Sequence, residues 1–349
     1  MKHSFKKSTV AFVLLLSFLF SCLFFLPACQ EKQEKYQTTY FDYFDTFSTL
    51  TVYAESRKLF EEYASLCEAM LEEYHQFLDI YHEYEGVVNL RTINKRNTQE
   101  ELTIDKKLGE FLKFGKEAYL LTNGMTNIAM GSVLSLWHTA RETSTLPKTE
   151  ELLTANEHVK IDALILSEDH TKVQKNDPLL QLDAGALGKG FVAEKIKTAL
   201  IENGCKSFLL NLGGNTVVYG TKPNGDPWLV GIEQPTENIG FDGSVALSDA
   251  SLVTSGSYQR YFTVDGVNYH HIIHPETLYP ETYFLSVSVL CPDSAIADAL
   301  STALFCMSVE DGKALLKALE NTEALWILED GNIQTTDGFM NYIKGGKRQ

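Results

Sequence analysis

Two strand-length runs, Tyr258 to Val264 and Val267 to Ile272, are joined by nothing longer than Asp265-Gly266. A two-residue link closes a hairpin and cannot carry a chain across a sheet to a parallel neighbour. Short runs recur along much of the sequence: Trp228 to Glu233, Gly243 to Leu247 and Ser251 to Thr254 are separated by turn residues, and Val159 to Leu166 with Lys172 to Gln174 reads as another hairpin. Further strands are expected over Thr46–Ala54, Leu179–Leu182, Ser207–Leu212, Leu285–Leu290 and Ala324–Leu328, the last closing the sheet. Helical spacing intervenes irregularly, over Lys58–Leu78, Leu108–Leu121, Ile128–Trp137 and Phe191–Leu200, then from an Asp293-Ser294 cap to Met307, and over Lys313–Leu319. Thr143 to Glu151 reads as a polar connection. Strands with irregularly interspersed helices predict an α+β fold with mixed or antiparallel sheets, not a regular doubly wound one.

The N-terminus carries Lys2, Lys6 and Lys7, an apolar run from Val10 to Leu26, and Leu26-Pro-Ala-Cys29. This order reads as a secretory signal over residues 1–28 ending in a lipobox, with Cys29 lipidated as in a palmitate-bearing bacterial lipoprotein. Leu19-Phe-Ser-Cys22 is a poorer candidate, and an uncleaved membrane helix is the alternative. Residues 29–40, polar and charged, read as a tether, leaving 41–345 for the folded domain. The expected location is the extracytoplasmic face of the cell membrane. Losing the three lysines would take the formal charge from −16 to −19, which argues against a nucleic-acid partner and against electrostatic adhesion to anionic lipid. Cys67, Cys205, Cys291 and Cys306 show no metal-ligand spacing and are expected as buried thiols.

Chemistry concentrates in four segments. Asp183-Ala-Gly-Ala-Leu-Gly-Lys-Gly190 precedes a helical pattern, so its glycine N–H groups, the helix dipole and Lys189 could cradle a phosphate; a plain strand–turn–helix link is the alternative. It is not a Walker A loop, since Asp183 stands where the first Gly belongs and no Ser or Thr follows Lys189. Asp298 and Thr302, four apart on one helical face, offer two hard oxygens suited to Mg²⁺, or else a buried Asp with Thr302 bonding back to its carbonyl. Tyr269-His-His-Ile-Ile-His274 lacks zinc spacing, and one histidine as a base is the better reading. Thr254-Ser-Gly-Ser-Tyr-Gln-Arg260 places hydroxyls at a glycine turn.

Together these segments resemble the ApbE family of FAD:protein FMN transferases. The resemblance runs from Phe44-Asp-Thr-Phe-Ser48 through Asn123-Gly124, Trp137, Asp183 to Gly190, Asn211-Leu-Gly-Gly-Asn215, Thr254-Ser-Gly256 with Tyr258, His271-Ile-Ile and Ala297 to Thr302. It implies a T-fold-like, two-lobed single catalytic domain. It also implies that the Ala186 carbonyl, Asp298 and Thr302 hold Mg²⁺, that Asp183 and Lys189 contact FAD, and that His271 is the base. Phe44, Met125, Thr126, Asn127, Gly213, Gly214, Asn215, Ser255, Gly256 and Ile272 fall where the family contacts the nucleotide. Three departures stand out. Thr126-Asn127 replaces Phe-Asp, His274-Pro-Glu-Thr277-Leu278 lacks the usual final Gly, which alters the turn, and His82 stands where many members have Asn. The implied reaction moves FMN from FAD to a Ser or Thr of an acceptor protein and releases AMP. A Mg²⁺-dependent FAD pyrophosphatase and a non-catalytic flavin-binding lipoprotein are the alternatives.

Overall fold

In the computed structural model, residues 32–235, 241 and 243–344 are described. The expected signal segment 1–28 and Cys29 lie outside them. An eight-stranded sheet is built from β1 (Glu34–Tyr43), β2 (Thr46–Ala54), β3 (Phe208–Leu212), β4 (Asn215–Tyr219), β5 (Ala250–Gly256), β6 (Phe284–Cys291), β7 (Glu323–Leu328) and β8 (Ile333–Thr335), numbered here within this sheet. Its spatial order follows the chain, and every neighbouring pair is antiparallel. Short turns join only β1 to β2, β3 to β4 and β7 to β8; the other neighbours are paired antiparallel across long intervening segments. Three smaller antiparallel units complete the α+β fold, including the hairpin Tyr261–Val264 with Val267–His270.

Eight helices are present among the described residues: α1 (Arg57–Leu78), α2 (Leu90–Lys95), α3 (Lys106–Leu121), α4 (Gly131–Thr143), α5 (Thr149–Asn156), α6 (Gly188–Glu202), α7 (Ser294–Phe305) and α8 (Val309–Leu316). Helices α1, α6 and α7 lie side by side on one face of the sheet. The largest core forms there, from Leu50, Val52, Leu71, Ile196, Leu210 and Ala299 among others. The opposite face is covered by the strands Trp228–Gly231, Ser244–Leu247 and Ile343–Lys344, which meet Leu252, Leu290 and Ile327 from the sheet. Strand β6 is buried on both sides, so even its two serines, Ser286 and Ser288, are inaccessible to solvent. A separate cluster joins α4, α5 and the hairpin around Trp137, whose indole N–H donates to Leu278 O at 2.9 Å.

Several boundaries differ from expectation. Strand β1 occupies residues expected as tether: Tyr40 is buried and its hydroxyl donates to Ala64 O, so an edge strand hides in a polar-looking segment. The segment 179–182 is no strand but an extended stretch with one parallel bridge, Met130 to Gln181. The strand expected from Val159 begins only at Leu164, after a 3₁₀ turn over Ile161–Ala163. The polar connection ends at Thr149, where α5 begins and buries Leu152. Ala324–Leu328 does not close the sheet, since β8 pairs on its outer edge. Leu278 keeps the left-handed backbone a glycine would adopt, at φ 66°, so the expected alteration of that turn does not occur. His274 stabilises it: Nδ1 accepts the N–H groups of Glu276 and Thr277.

Candidate active site

The loop before α6 is closed on itself. Asp183 Oδ1 accepts the Gly185 N–H at 2.7 Å, and the Gly188 N–H donates to Ala184 O at 2.7 Å. Gly190 N, one of the first-turn N–H groups that a helix leaves without an internal partner, donates to Asp298 Oδ2 at 2.7 Å. All three glycine N–H groups are thus engaged by the protein, which corrects the expected phosphate cradle. What the loop leaves open is the Ala186 carbonyl, which stands just before the N-cap Leu187 and accepts no hydrogen bond among the described residues. Gly190 makes the bond to Asp298 possible: a β-carbon there would come within 2.4 Å of both Asp298 Cβ and Ser294 O.

A cavity of about 380 Å³ opens at this junction, between the loop, α7, the β1–β2 turn, the end of α1 and one face of α4. Phe44, Met125, Thr126, Asn127, Asp183, Ala186, Lys189, Asn215, Ser255, His271, Ile272, Asp298 and Thr302 all line it. Gly213, Gly214 and Gly256 stand behind it. Gly213 uses its carbonyl to accept from Lys189 Nζ at 3.1 Å, Gly214 N donates to Asn211 Oδ1, and Gly256 packs against the Tyr258 ring. Lys189 is therefore held in place and not the mobile cation its position suggests. Burial lowers its pKa, while Asp298 opposes that shift.

Asp298 is buried, and desolvation pushes its carboxyl above the ordinary carboxylate range against the pull of Lys189 and the Gly190 N–H. A buried carboxylate in this state is stabilised by a cation. Among the described residues no hydrogen bond engages the Thr302 hydroxyl; Ser301, not Thr302, bonds back to Asp298 O, at 3.0 Å. One carboxylate, one free carbonyl and one free hydroxyl thus face the same cavity, and such hard oxygens fit Mg²⁺ when phosphate and water fill the remaining positions. The buried Asn215 Nδ2 makes no hydrogen bond of full geometry, yet it lies near enough to Asp298 to draw the carboxyl pKa down.

His271 reaches the Arg260 carbonyl through both its backbone N–H and Nδ1, each at 3.2 Å. A carbonyl only accepts, so Nδ1 carries the ring proton and Nε2 keeps a bare lone pair. The surrounding cavity walls partly desolvate His271 and lower its pKa although the residue keeps its solvent exposure, and the Arg260 guanidinium adds to that, which keeps the ring neutral. His270 is engaged structurally, between Glu281 O and the Ile272 N–H. Thr126 and Asn127 line the cavity but serve the fold: Thr126 Oγ1 donates to Ala299 O at 2.7 Å, and Asn127 bridges Ala129 N and Val159 O. Only an amide can make the last of these bonds, since Nδ2 is the donor. His82 Nδ1 lies 2.9 Å from Asp79 Oδ2, beside Tyr84.

Sequence reasoning missed several titratable cavity residues, among them Asp42, His75, Asp79, His138 and Arg141, and gave Arg260 no role. Met130, Leu134, His138 and Arg141 recur at helical spacing along α4, a signal hidden because that face mixes apolar and cationic residues. His138 Nε2 lies 3.9 Å from Asp183 Oδ2, and its Nδ1 is 3.1 Å from the Tyr81 hydroxyl.

The profile of the ApbE family matches residues 44–326. The chain is 33% identical over 274 residues to the FAD:protein FMN transferase of Treponema pallidum, covering 73% of this chain and 75% of that one. It is 29% identical over 331 residues to the protein of the same name from Haemophilus influenzae, covering 90% and 91%. Among solved structures, the ApbE protein of Thermotoga maritima superposes with a TM-score of 0.78 at 25% identity, over 89% of this chain and all of that one.

Proposed function

The chain belongs to the ApbE family, and from that premise we propose that it transfers the FMN half of FAD to a serine or threonine hydroxyl of an acceptor protein, releasing AMP. One observation carries the reading: the bare Nε2 of His271 and the free oxygens of Ala186, Asp298 and Thr302 face one cavity. Nε2 takes the proton of the acceptor hydroxyl, because an unassisted hydroxyl is a poor nucleophile near neutral pH. The hydroxyl oxygen bonds to the FMN phosphorus, and the pyrophosphate P–O bond to AMP breaks with its electron pair leaving on the AMP phosphate. Lys189 and Arg260 face the charge that develops, and the apolar side chains of Phe44, Met125 and Ile272 suit the flat rings of the dinucleotide. Mg²⁺, held by the Ala186 carbonyl, Asp298 and Thr302, would neutralise charge on the pyrophosphate.

Incubation with FAD and Mg²⁺, with and without acceptor, tests this. FMN on the acceptor supports transfer, whereas free FMN with AMP marks a pyrophosphatase and retained intact FAD marks a binding protein. Asp298→Ala should abolish AMP release and Mg²⁺ binding measured by calorimetry; full activity in that variant would overturn the metal assignment.

Anchoring through a lipidated Cys29 on the extracytoplasmic face belongs to the same proposal. The acceptor would then be a protein that presents its hydroxyl at that face.

A further inference from the structure

A second cavity, of about 460 Å³, lies beside the first and shares Ile80, Tyr81 and His138 with it. Its size falls within the usual range of ligand sites, about 300–1,000 Å³. Its character is different. The first cavity presents Phe44, Leu78, Met125, Met130, Leu134 and Ile272, whereas the second is lined mainly by polar side chains. Its two cations are already engaged: Lys95 pairs with Glu83, Arg91 lies 3.9 Å from the same group and donates to Ile80 O, and Glu142 adds a second carboxylate to the lining. A phosphate would find no free cation there, and a flavin or adenine ring would find few apolar walls.

Three lining side chains remain open. Among the described residues, those of Asn97, Glu142 and Gln181 make no hydrogen bond, although Gln181 is fixed through its backbone, which accepts the Gly131 N–H at 3.0 Å. The cavity is held in shape around them. Asn94 exchanges two bonds with the Leu182 backbone at 2.8 and 2.7 Å, and the buried Lys175 ammonium donates to Leu180 O and Asn94 O from behind. Two free carboxamides offer donors and acceptors together, the complement of an extended main chain with its own N–H and C=O groups.

We propose that this second cavity seats the acceptor, as a short extended segment of polypeptide whose serine or threonine side chain passes the Tyr81–His138 wall into the FAD cavity. The proposal rests on the transferase reading. It assigns the two substrates of one reaction to two adjoining cavities of opposite polarity, so that each is recognised without displacing the other.

The test uses a nonapeptide library with a fixed central threonine, incubated with FAD, Mg²⁺ and the protein; peptides that acquire FMN fluorescence are isolated and sequenced, and the best is used for kinetics. Thr139→Trp narrows the second cavity from an exposed position whose hydroxyl only bonds within α4, and Gln181→Ala removes an unengaged side chain. The ratio of KM for the peptide to KM for FAD should rise at least tenfold in Thr139→Trp and severalfold in Gln181→Ala, with thermal melting monitoring the fold. A ratio unmoved in both variants, or raised by neither because KM for FAD climbs equally, overturns the cavity assignment while leaving transfer intact. Free FMN and AMP without any labelled peptide overturns the transferase reading itself.

Discussion

His271 shows how a main-chain carbonyl selects a chemical state. Because Arg260 O can only accept, it holds the ring proton on Nδ1 and leaves Nε2 free, and the lowered pKa keeps the ring neutral below the ordinary histidine value of about 6.5. The sign follows: protonation removes the base, so activity is lost as pH falls, but later than for an unperturbed histidine. We expect the acid limb of kcat/KM for FAD to lie below about pH 6.5, and His271→Gln to lose about 10²–10⁴-fold in rate together with that limb. An acid limb at or above the ordinary value would remove His271 as the base. Leu278 makes a different point at the same scale. It is buried, yet sits at φ 66°, where a side chain costs about 1–2 kcal/mol. Leu278→Gly relieves that strain and empties a buried leucine site worth about 2–5 kcal/mol, so denaturant unfolding should show a net loss of about 1–3 kcal/mol. The sequence revealed that a glycine was missing here; it could not reveal that packing around Trp137 would hold a leucine in the glycine conformation.

Helices α6 and α7 cross at Gly190, where contact between backbone and side chain replaces the usual packing of side chains. That crossing brings the Gly190 N–H, which the helix itself cannot satisfy, onto Asp298, and so one close approach both buries the carboxylate and pairs it. Gly190→Ala must separate the helices, since its new β-carbon would sit 2.4 Å from Ser294 O. We expect a loss of about 1–3 kcal/mol in stability and a larger proportional loss of Mg²⁺-dependent AMP release; a fully active variant with unchanged melting would show that the crossing does not organise the site. The glycines of Asp183 to Gly190 were legible as a special turn. Their purpose was not, because a phosphate cradle and a helix crossing ask for the same residue type: both need backbone without a β-carbon.

Across the whole molecule, an uninterrupted antiparallel order brings distant segments to one place. The β1–β2 turn delivers Phe44, the segment after β5 delivers Arg260 and His271, and α7 delivers Asp298 and Thr302. The four thiols Cys67, Cys205, Cys291 and Cys306 are free and buried, with the pKa of Cys67 and Cys306 pushed up to about 12 by burial, so no disulfide among them braces this arrangement. Strand β1 begins at Glu34, five residues after Cys29. If that cysteine carries the proposed anchor, the link spans at most about 18 Å, and the fold stands close to the bilayer rather than at the end of a long tether. Mass analysis of the mature N-terminus should find a lipidated Cys29 in the unaltered protein and no lipid in Cys29→Ala; an unmodified N-terminus in the unaltered protein would overturn the anchor. The sequence by itself determined the α+β class, the antiparallel hairpins and the segments Asp183 to Gly190, Asp298 to Thr302 and Tyr269 to His274, because turn length, periodicity and residue chemistry act locally; the other site residues followed from the resemblance to the family. Only the tertiary structure decided which N–H groups are already engaged, that Lys189 is fixed on Gly213, that His138, Arg141 and Arg260 join the site, and that a second polar cavity adjoins the first. Those facts depend on which atoms of distant segments come within hydrogen-bond reach, and the local pattern of a chain carries no record of that.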